Sequence, residues 1–293
     1  GVRLVGSEMC IRDRLITVVT VCFNAENVIE ETLQSILEQT YKSLEYIIID
    51  GNSKDNTCHI IKKYKPLFIT KGVLFKFISE KDNGIYDAMN KGIRQATGKW
   101  INFMNAGDKF CTPTVIEEVF NREISDDVKA VYGNAIMIKK NSRKCFVSEE
   151  PHVILKKMVA CHQAIFAEVE DMKEHPFNLD YKISADYHYM YQLYKRNGKF
   201  LPLSINVADF EAENGISSTN SIGCKWECAK IAGIDQTWQW RFKIIRKTIE
   251  VYTERFLYKY LPENLFNSLH QWNCKRLERR RMKKQQMKLV LSR

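Results

Sequence analysis

Residues 15–50 read LITVVTVCFNAENVIEETLQSILEQTYKSLEYIIID, and this stretch decides the fold class. The apolar, β-rich start at 15–22 predicts a buried strand, and Asn24 is a plausible cap for the helix that follows. Apolar residues then recur at helical spacing from 29 to 37, and the run at 44–49 predicts a second buried strand. A strand, a helix and a strand in this order indicate a βαβ unit with parallel strands.

The same alternation continues along the chain. It predicts helices at 57–64 and 85–96 and strands at 74–78 and 100–104. We therefore expect an α/β fold with a mostly parallel, Rossmann-like sheet and helices on both faces. Right-handed crossovers place the polar turns at one edge of the sheet, where ligands bind in such folds. Beyond 108 the pattern is looser and predicts a helix at 114–120, a strand at 130–138, a hairpin around Asn141 and Ser142, and a helix at 185–196.

Charge separates the end of the chain from the rest. Residues 241–293 contain fifteen Lys/Arg and four Asp/Glu, whereas residues 1–240 are close to neutral within a total of +10. We expect a helical basic and aromatic extension over 224–293, suited to an anionic membrane surface. A solvated helix with no partner, a dock for a partner subunit and RNA binding by the extension remain open. The neutral remainder argues against a nucleic-acid partner.

The cysteines and the apolar runs suggest where the protein works. Nine cysteines form an odd set without a CxxC pair, which indicates neither a disulfide framework nor a zinc ribbon and favours a reducing cytosol. No run reaches the roughly 20 apolar residues that a membrane span needs. We expect a cytoplasmic protein, peripheral on the inner face of the membrane. Residues 1–14 lack any period, and we expect a non-native or disordered leader before the main domain at 15–223.

Polar turns follow the first two predicted strands. In residues 20–24, TVCFN, the backbone N–H groups beside the helix start could receive a base or a phosphate, although most such turns bind nothing. In residues 50–57, DGNSKDNT, Asp50 ends an apolar strand and could accept hydrogens from a nucleobase edge or a ribose. It could equally cap the next helix.

The third turn is the most informative. Residues 79–92, SEKDNGIYDAMNKG, place Asp82 and other polar groups beside Gly84, which relaxes the backbone so that a ligand can approach. Lys91 is a candidate ligand contact, or it forms a helical i,i+4 pair with Asp87. That pair would explain Lys91 but would leave Asp82 without a role.

The fourth turn, residues 105–108, reads NAGD and includes Asn105 and Gly107. Asp108 can bind a hard divalent cation, Mn²⁺ or Mg²⁺, which would take most other ligands from water and phosphate and would neutralise a diphosphate leaving group. The alternative is that Asp108 only forms the turn.

In order and spacing these turns resemble glycosyltransferase family 2, the inverting GT-A enzymes of polysaccharide assembly, and within it the branch of colanic-acid and exopolysaccharide transferases. The matching segments are TVVTVCFN (17–24), QSILEQTY (34–41), DGNSKDNT (50–57), EKDNGIYDAMNKG (80–92) and WINFMNAGD (100–108). The resemblance implies a GT-A fold and a nucleotide-sugar donor. Its predicted contacts are Thr20, Phe23, Asn24, Asp50, Asp82, Lys91, Asn105 and Gly107. NAGD stands where the family has DxD, so Asp108 would be the metal ligand, with Asn105 replacing the first carboxylate.

Two later segments extend the resemblance. CHQAIF at 161–166 is similar to the acceptor-side strand, and His162 with Gln163 is a candidate contact to acceptor or diphosphate; His162 could also be a second base or a buried hydrogen-bonding group. SADY at 184–187 is similar to the segment of the catalytic base, which implies that Asp186 deprotonates the acceptor. From position alone, Asp186 could be a first-turn helix acid. ENGISS at 213–218 is similar to a loop over the donor.

These features predict an inverting glycosyltransferase of bacterial cell-envelope polysaccharide biosynthesis. It would move a sugar from a nucleoside-diphosphate donor to a saccharide or polyprenyl-linked acceptor in a single displacement. The alternative from another class is a non-catalytic, sugar-nucleotide-binding scaffold of an assembly complex, which the Asn105 departure makes plausible.

Overall fold

The computed structural model of this chain describes residues 14–139, 142–211 and 215–260. The strands in these ranges are β1 (Ile16–Cys22), β2 (Leu44–Asp50), β3 (Leu74–Ser79), β4 (Trp100–Phe103), β5 (Lys109–Phe110), β6 (Val128–Lys139), β7 (Ser142–Phe146), β8 (Ile165–Glu168) and β9 (Lys199–Glu211). The helices are α1 (Ile29–Leu37), α2 (Thr57–Thr70), α3 (Ile85–Gln95), α4 (Val115–Phe120), α5 (Val169–Glu174), α6 (Ala185–Lys195), α7 (Ile216–Thr219), α8 (Ser221–Ile231) and α9 (Trp238–Tyr260).

The strands form one sheet in the order β3-β2-β1-β4-β8-β6-β9-β5, with β7 paired to β6. β1 pairs in parallel with both β2 and β4, and β2 pairs in parallel with β3. The second half is mixed, because β8 is antiparallel to β4 and β6 whereas β6 and β9 are parallel. The predicted α/β class is confirmed, and the parallel half is the part that the βαβ pattern predicted.

Burial explains why the first strands read as continuous apolar runs. Every residue of β1 and β2 is buried, as expected for central parallel strands with both faces covered. Ile16 and Val18 pack with α1 on one face of the sheet, and Val19 and Val21 pack with α3 on the other. The strand ends that carry the polar turns are therefore fixed by two cores.

Local predictions differ from the structure at several places. Asn24 is not the helix cap, because α1 begins at Ile29 after Val28, and Asn24 adopts a left-handed φ of 48°. Helix α2 continues well past the predicted end, to Thr70. The long strand β9 was not predicted, since its polar and apolar residues follow no strict alternation. The predicted hairpin corresponds to the antiparallel pair β6 and β7, with residues 140–141 outside the described ranges.

The chain divides into two compact units after Ile234. The predicted boundary at 223/224 therefore differs from the structure, because α8 packs on α6 within the first unit. The described part of the second unit contains helix α9. Most of the predicted leader and residues 261–293 of the basic extension lie outside the described ranges. Among the described helices, none combines the length and the apolar character required to cross a membrane.

Candidate active site

The four polar turns lie along one edge of the sheet. Strand register pairs Cys22 at the end of β1 with Asp50 at the end of β2, and pairs Asp50 with Ser79 at the end of β3. On the other side of β1, the Ala106 N–H after β4 donates to the Val21 carbonyl at 3.2 Å. Because neighbouring strands are about 4.8 Å apart, the turns after β1 to β4 form one continuous rim.

At the β2 side of this rim, an aromatic ring and a carboxylate converge on a glycine. Phe23 is 62% exposed although it directly follows a buried strand. A Cβ atom on Gly51 would lie 2.5 Å from Asp82 Oδ2 and 3.3 Å from a ring carbon of Phe23. Gly51 therefore allows both side chains to approach the backbone. The other Asp82 oxygen accepts the Gly84 N–H at 2.9 Å, which fixes the carboxylate.

Asp50 is buried but well supplied with donors. Its carboxylate accepts hydrogen bonds from Ser53 N at 3.0 Å, Ser53 Oγ at 2.5 Å, Ser79 Oγ at 2.6 Å and the Cys58 thiol at 3.2 Å. Burial by itself raises the pKa of Asp50, but the hydrogen bonds from Ser53 and Ser79 outweigh burial and lower it below its ordinary value. Asp50 is thus an ionised carboxylate that organises the turn.

Three other residues that the sequence predicts to contact the nucleotide sugar differ in how they are placed at the rim. The Thr20 side chain is fully buried and donates to the Met104 carbonyl at 2.7 Å, so it supports the rim from within the core. Asn24 is exposed and accepts the Lys54 N–H at 2.9 Å, which joins the first two turns. Lys91 pairs with Glu80 at 2.9 Å, so the helical pair with Asp87 is not the one formed.

On the β4 side, Asp108 is buried with a different set of neighbours. Gln163 Nε2 donates to Asp108 Oδ2 at 2.9 Å. Burial raises the pKa of Asp108 to about 7; the Gln163 hydrogen bond works against this, and the negative charge of Glu211 adds to it. Gly107 has a φ of 95° and donates its N–H to Thr32 Oγ1 at 2.9 Å, which sets the direction of the turn.

Asn105 and His162 form the next contact along the site. Asn105 Nδ2 lies 3.0 Å from His162 Nε2, and with the amide nitrogen as donor the imidazole carries its proton on Nδ1. The His162 side chain is 28% exposed, and its Nδ1 is 3.6 Å from Asp186 Oδ2. Burial lowers the pKa of His162 despite the opposing effect of Asp186, so the ring is neutral at physiological pH.

Asp186 is held at one oxygen and open at the other. Oδ1 accepts from Tyr86 Oη at 3.0 Å and from the Tyr187 N–H at 2.9 Å. Oδ2 faces His162, and the side chain is 20% exposed. The carboxylate is therefore oriented by two donors while part of it remains exposed to solvent.

The adjacent residues His162 and Gln163 connect the two acids on this side. His162 faces Asp186 and Gln163 binds Asp108, from one short 3₁₀ turn at His162–Ala164. The structure thus gathers Asn105, Asp108, His162, Gln163 and Asp186 into one cluster. The sequence interpretation gave no role to Tyr86 or Glu211. Tyr86 lies within the segment that carries the family resemblance, whereas nothing in the local sequence indicated Glu211.

The β4 cluster also suits a divalent cation. Asn105 Oδ1 is buried and has no hydrogen-bond partner among the described residues, so one amide oxygen is available as a ligand. Asp108 is a second oxygen donor, and burial raises its pKa to about 7. Oxygen donors are those preferred by Mg²⁺ and Mn²⁺. In the described part of the chain, no group of three or more His, Cys, Asp or Glu side chains could hold a metal.

The fold and the acidic rim define a transferase of the GT-A class. Residues 17–197 match the family described as Glycosyl transferase family 2, and the chain belongs to this family of glycosyltransferases. A PGL/p-HBAD biosynthesis glycosyltransferase of Mycobacterium tuberculosis is 28% identical over 211 residues, which cover 70% of this chain and 80% of the relative. The predicted family is thereby confirmed.

A more distant relative is the Escherichia coli UDP-Glc:alpha-D-GlcNAc-diphosphoundecaprenol beta-1,3-glucosyltransferase WfgD. It is 25% identical over 187 residues, which cover 63% of this chain and 72% of the relative.

Solved structures support the fold. S. aureus TarS 1-349 in complex with UDP-GlcNAc has a TM-score of 0.60 at 14% identity, over 75% of this chain and 66% of that chain. Mannosyltransferase PcManGT from Pyrobaculum calidifontis, in complex with GDP-Man and Mn²⁺, has a TM-score of 0.59 at 17% identity, over 75% and 64%. This chain therefore spans about two thirds of the length of either solved chain.

Proposed function

We propose that this protein is an inverting glycosyltransferase that moves a sugar from a nucleoside-diphosphate donor to a saccharide or polyprenyl-linked acceptor in polysaccharide biosynthesis. The observation that carries this proposal is the turn at His162 and Gln163, whose adjacent side chains contact Asp186 and Asp108. In a single displacement a base deprotonates the acceptor, and a carboxylate that binds a diphosphate-bound cation assists departure of the leaving group. The WfgD name, which includes a diphosphoundecaprenol acceptor, supports the lipid-linked class.

The nucleoside end of the donor would lie at the β2 side of the rim. The exposed ring of Phe23 offers a stacking surface, and Asp82 beside it offers a carboxylate for ribose or base hydrogens. Asn24 closes the same corner through Lys54. From there the diphosphate would extend across the end of β1 toward Asn105 and Asp108.

Asp186 is the proposed catalytic base. Tyr86 and the Tyr187 N–H fix its Oδ1, so Oδ2 is the oxygen that takes the acceptor proton. The Tyr86 hydroxyl also lies 2.7 Å from the Ile183 carbonyl, so its single proton is shared between that carbonyl and Asp186 Oδ1. Neutral His162 beside Oδ2 adds no positive charge that would weaken the base. One attack opposite the leaving diphosphate inverts the anomeric centre.

Asp108 and the amide oxygen of Asn105 are the proposed protein ligands of a divalent cation. When bound, Mn²⁺ or Mg²⁺ stabilises the charge that develops on the leaving diphosphate. Gln163 holds Asp108 in the direction of the cleft through its 2.9 Å hydrogen bond. The PcManGT complex, which has the same fold, contains Mn²⁺, and this supports a divalent cation as the cofactor.

The decisive experiment is Asp186→Asn. We expect kcat to fall roughly 10²- to 10⁴-fold, because general base catalysis is lost, while donor affinity measured by calorimetry stays within about twofold. Asp180→Asn, at an exposed position before α6, is the matched control and should retain activity. Near wild-type turnover of Asp186→Asn would remove Asp186 from this role.

A non-catalytic scaffold is separated from a transferase by the wild-type protein. We expect donor hydrolysis or transfer with at least one member of a nucleotide-sugar panel in the presence of Mn²⁺ or Mg²⁺. Binding of a donor without turnover under any of these conditions would favour the scaffold. The same panel would identify the donor sugar and base.

We further propose that the extension attaches the enzyme to the inner face of the membrane. Seven large apolar side chains of α9 are between 58% and 74% exposed and recur every three or four residues, so they share one helical face. They are Trp238, Phe242, Ile245, Ile249, Tyr252, Phe256 and Tyr260. Exposed Arg241 and Arg246 flank this stripe, and such a helix suits an anionic bilayer surface.

Vesicle sedimentation tests this attachment. We expect the protein to bind phosphatidylglycerol-containing vesicles and to bind phosphatidylcholine vesicles weakly. Trp238→Ser combined with Phe242→Ser should reduce binding several-fold, because apolar area is removed from the bilayer contact. Thr253→Ala, an exposed position of the same helix, should bind as wild type. Equal sedimentation of the double variant would discard the lipid role and favour a protein partner.

A further inference from the structure

Helix α8 binds the backbone of residues 182–184, which lead into the helix that carries the proposed base, Asp186. The Glu227 carboxylate accepts three consecutive backbone N–H groups, those of Lys182 at 2.8 Å, Ile183 at 2.9 Å and Ser184 at 2.8 Å. These amides immediately precede α6, whose second residue is Asp186. An acceptor that binds the N-cap amide and the two amides before it fixes the direction in which the chain enters the helix.

Further contacts from α8 reach the same segment. The Ser184 hydroxyl lies 3.7 Å from the Cys224 thiol and 3.6 Å from the Cys228 thiol. The Lys230 ammonium lies 5.5 Å from the ring centroid of Tyr181. Residues 181–184 are therefore held by one face of α8, on which Glu227 accepts the backbone amides.

The opposite side of this segment is fixed by Tyr86. Its hydroxyl binds the Ile183 carbonyl at 2.7 Å and lies 3.0 Å from Asp186 Oδ1. Glu227 binds the amide of Ile183, and Tyr86 binds its carbonyl. The backbone that leads into Asp186 is thus held between α8 and α3, and a shift of this backbone would move the carboxylate away from its donors.

We propose that Glu227 is a positioning residue for Asp186. By accepting three amides at once, its carboxylate sets the start of α6 and thereby the place of the catalytic carboxylate. A carboxylate is suited to this position, because it accepts hydrogen bonds without donating any. Its negative charge is also favoured at the positive end of a helix. The assignment rests on the proposed function, since it takes Asp186 as the base.

The test compares Glu227→Gln, Glu227→Asp and Lys225→Gln, the last being an exposed position on the same helix. Glu227→Gln keeps the volume but turns an NH₂ group toward N–H donors. We expect kcat to fall roughly 10- to 100-fold, because a shift of the Asp186 carboxylate by up to about 1 Å costs a factor of this size. The KM for the sugar donor should stay within about twofold of the wild-type value. Glu227→Asp should recover part of kcat, and Lys225→Gln should match wild type.

A double variant distinguishes positioning from general structural damage. In the Asp186→Asn background, Glu227→Gln should cause no further loss, because residues that act as one unit are not additive. A full additional loss, or an unchanged kcat in the single variant, would overturn the proposal.

Amide hydrogen exchange gives a readout that needs no activity. In Glu227→Gln the amides of 182–184 should exchange faster, whereas those of β1 should keep their protection. Unchanged exchange at 182–184 would refute the role of Glu227 alone. Faster exchange together with no transfer by the wild type would refute the proposed function and, with it, a catalytic purpose for the contact.

Discussion

The turns after β2 and β4 each carry a buried aspartate, and the two carboxylates have opposite environments. Five donors surround Asp50, two from Ser53 and one each from Cys22, Cys58 and Ser79, and the hydrogen bonds from Ser53 and Ser79 outweigh burial and lower its pKa. Asp108 has the Gln163 amide, and burial raises its pKa to about 7. Both residues follow strands that flank β1, so position along the rim does not account for the difference.

The two environments indicate different roles for Asp50 and Asp108. A carboxylate whose charge is already satisfied by the protein stabilises the turn and has little left to offer a ligand. A buried carboxylate that is short of donors is stabilised by a cation, which supplies the missing charge compensation. Asp50 therefore supports the neighbouring Phe23 and Asp82, whereas Asp108 is suited to bind a cation that would in turn bind the diphosphate.

For these two aspartates, the largest expected effect is the loss of activity when Asp108 is replaced. Asp108→Asn should lower kcat/KM roughly 10²- to 10³-fold with Mn²⁺ present, because charge compensation of the leaving group is lost. The measurement is transfer rate against Mn²⁺ concentration. Asp126→Asn, an exposed carboxylate paired with Lys99, is the control and should retain activity. Unchanged Mn²⁺ dependence in Asp108→Asn would place the cation elsewhere.

Asp108 should also make the stability of the protein depend on pH. Between the ordinary Asp pKa of about 4 and about 7, the folded, metal-free protein keeps a proton on Asp108 that the unfolded chain has released. The native state then binds more protons, so the free energy of unfolding falls as pH rises, by up to about 1.4 kcal/mol per pH unit from this group.

Urea unfolding from pH 4 to 8 provides the measurement for this pH effect. The wild type should lose stability over this range relative to Asp108→Asn, which lacks the titrating group. Parallel curves for the two proteins would show that Asp108 is ionised throughout and would contradict the contrast with Asp50.

A smaller effect is expected from Asp50. Asp50→Asn should lower the free energy of unfolding by roughly 2 kcal/mol at pH 7, because a charged acceptor of several hydrogen bonds is lost. Asp108→Asn at the same pH should be neutral or stabilising without metal. Thermal or urea unfolding of the two variants side by side gives the answer, and destabilisation of both by the same amount would remove the distinction.

The smallest effect is expected at Gly51, next to Asp50, where Asp82 is proposed to contact the nucleotide. A Cβ in Gly51→Ala would lie 2.5 Å from Asp82 Oδ2 and would displace that carboxylate, so nucleotide affinity should fall about tenfold, or about 1.4 kcal/mol. Titration with the nucleoside diphosphate measures it. Asn52→Gly, at an exposed neighbour with a φ of 68°, should bind normally. Normal binding by Gly51→Ala would remove Asp82 from the donor site.

Much of the fold was predictable because its signal is local. The alternation of strands and helices from β1 to β4 follows from apolar periodicity, and the observed bounds differ from the predicted ones by a few residues, except at the end of α2. The mixed half of the sheet was not predictable to the same degree. β9 is long and irregular in pattern, with register shifts against β6, so its place depends on pairing partners far away in sequence.

By itself, the sequence determined the α/β class, the family, and the positions of the acidic turns, because chain neighbours encode strands, helices and turns. Only the tertiary structure decided that Asp50 is saturated with donors while Asp108 is not, that His162 lies between Asn105 and Asp186, and that Glu227 holds the start of α6. Hydrogen bonding and desolvation depend on atoms a few ångströms apart in space, and those atoms come from segments that are distant along the chain.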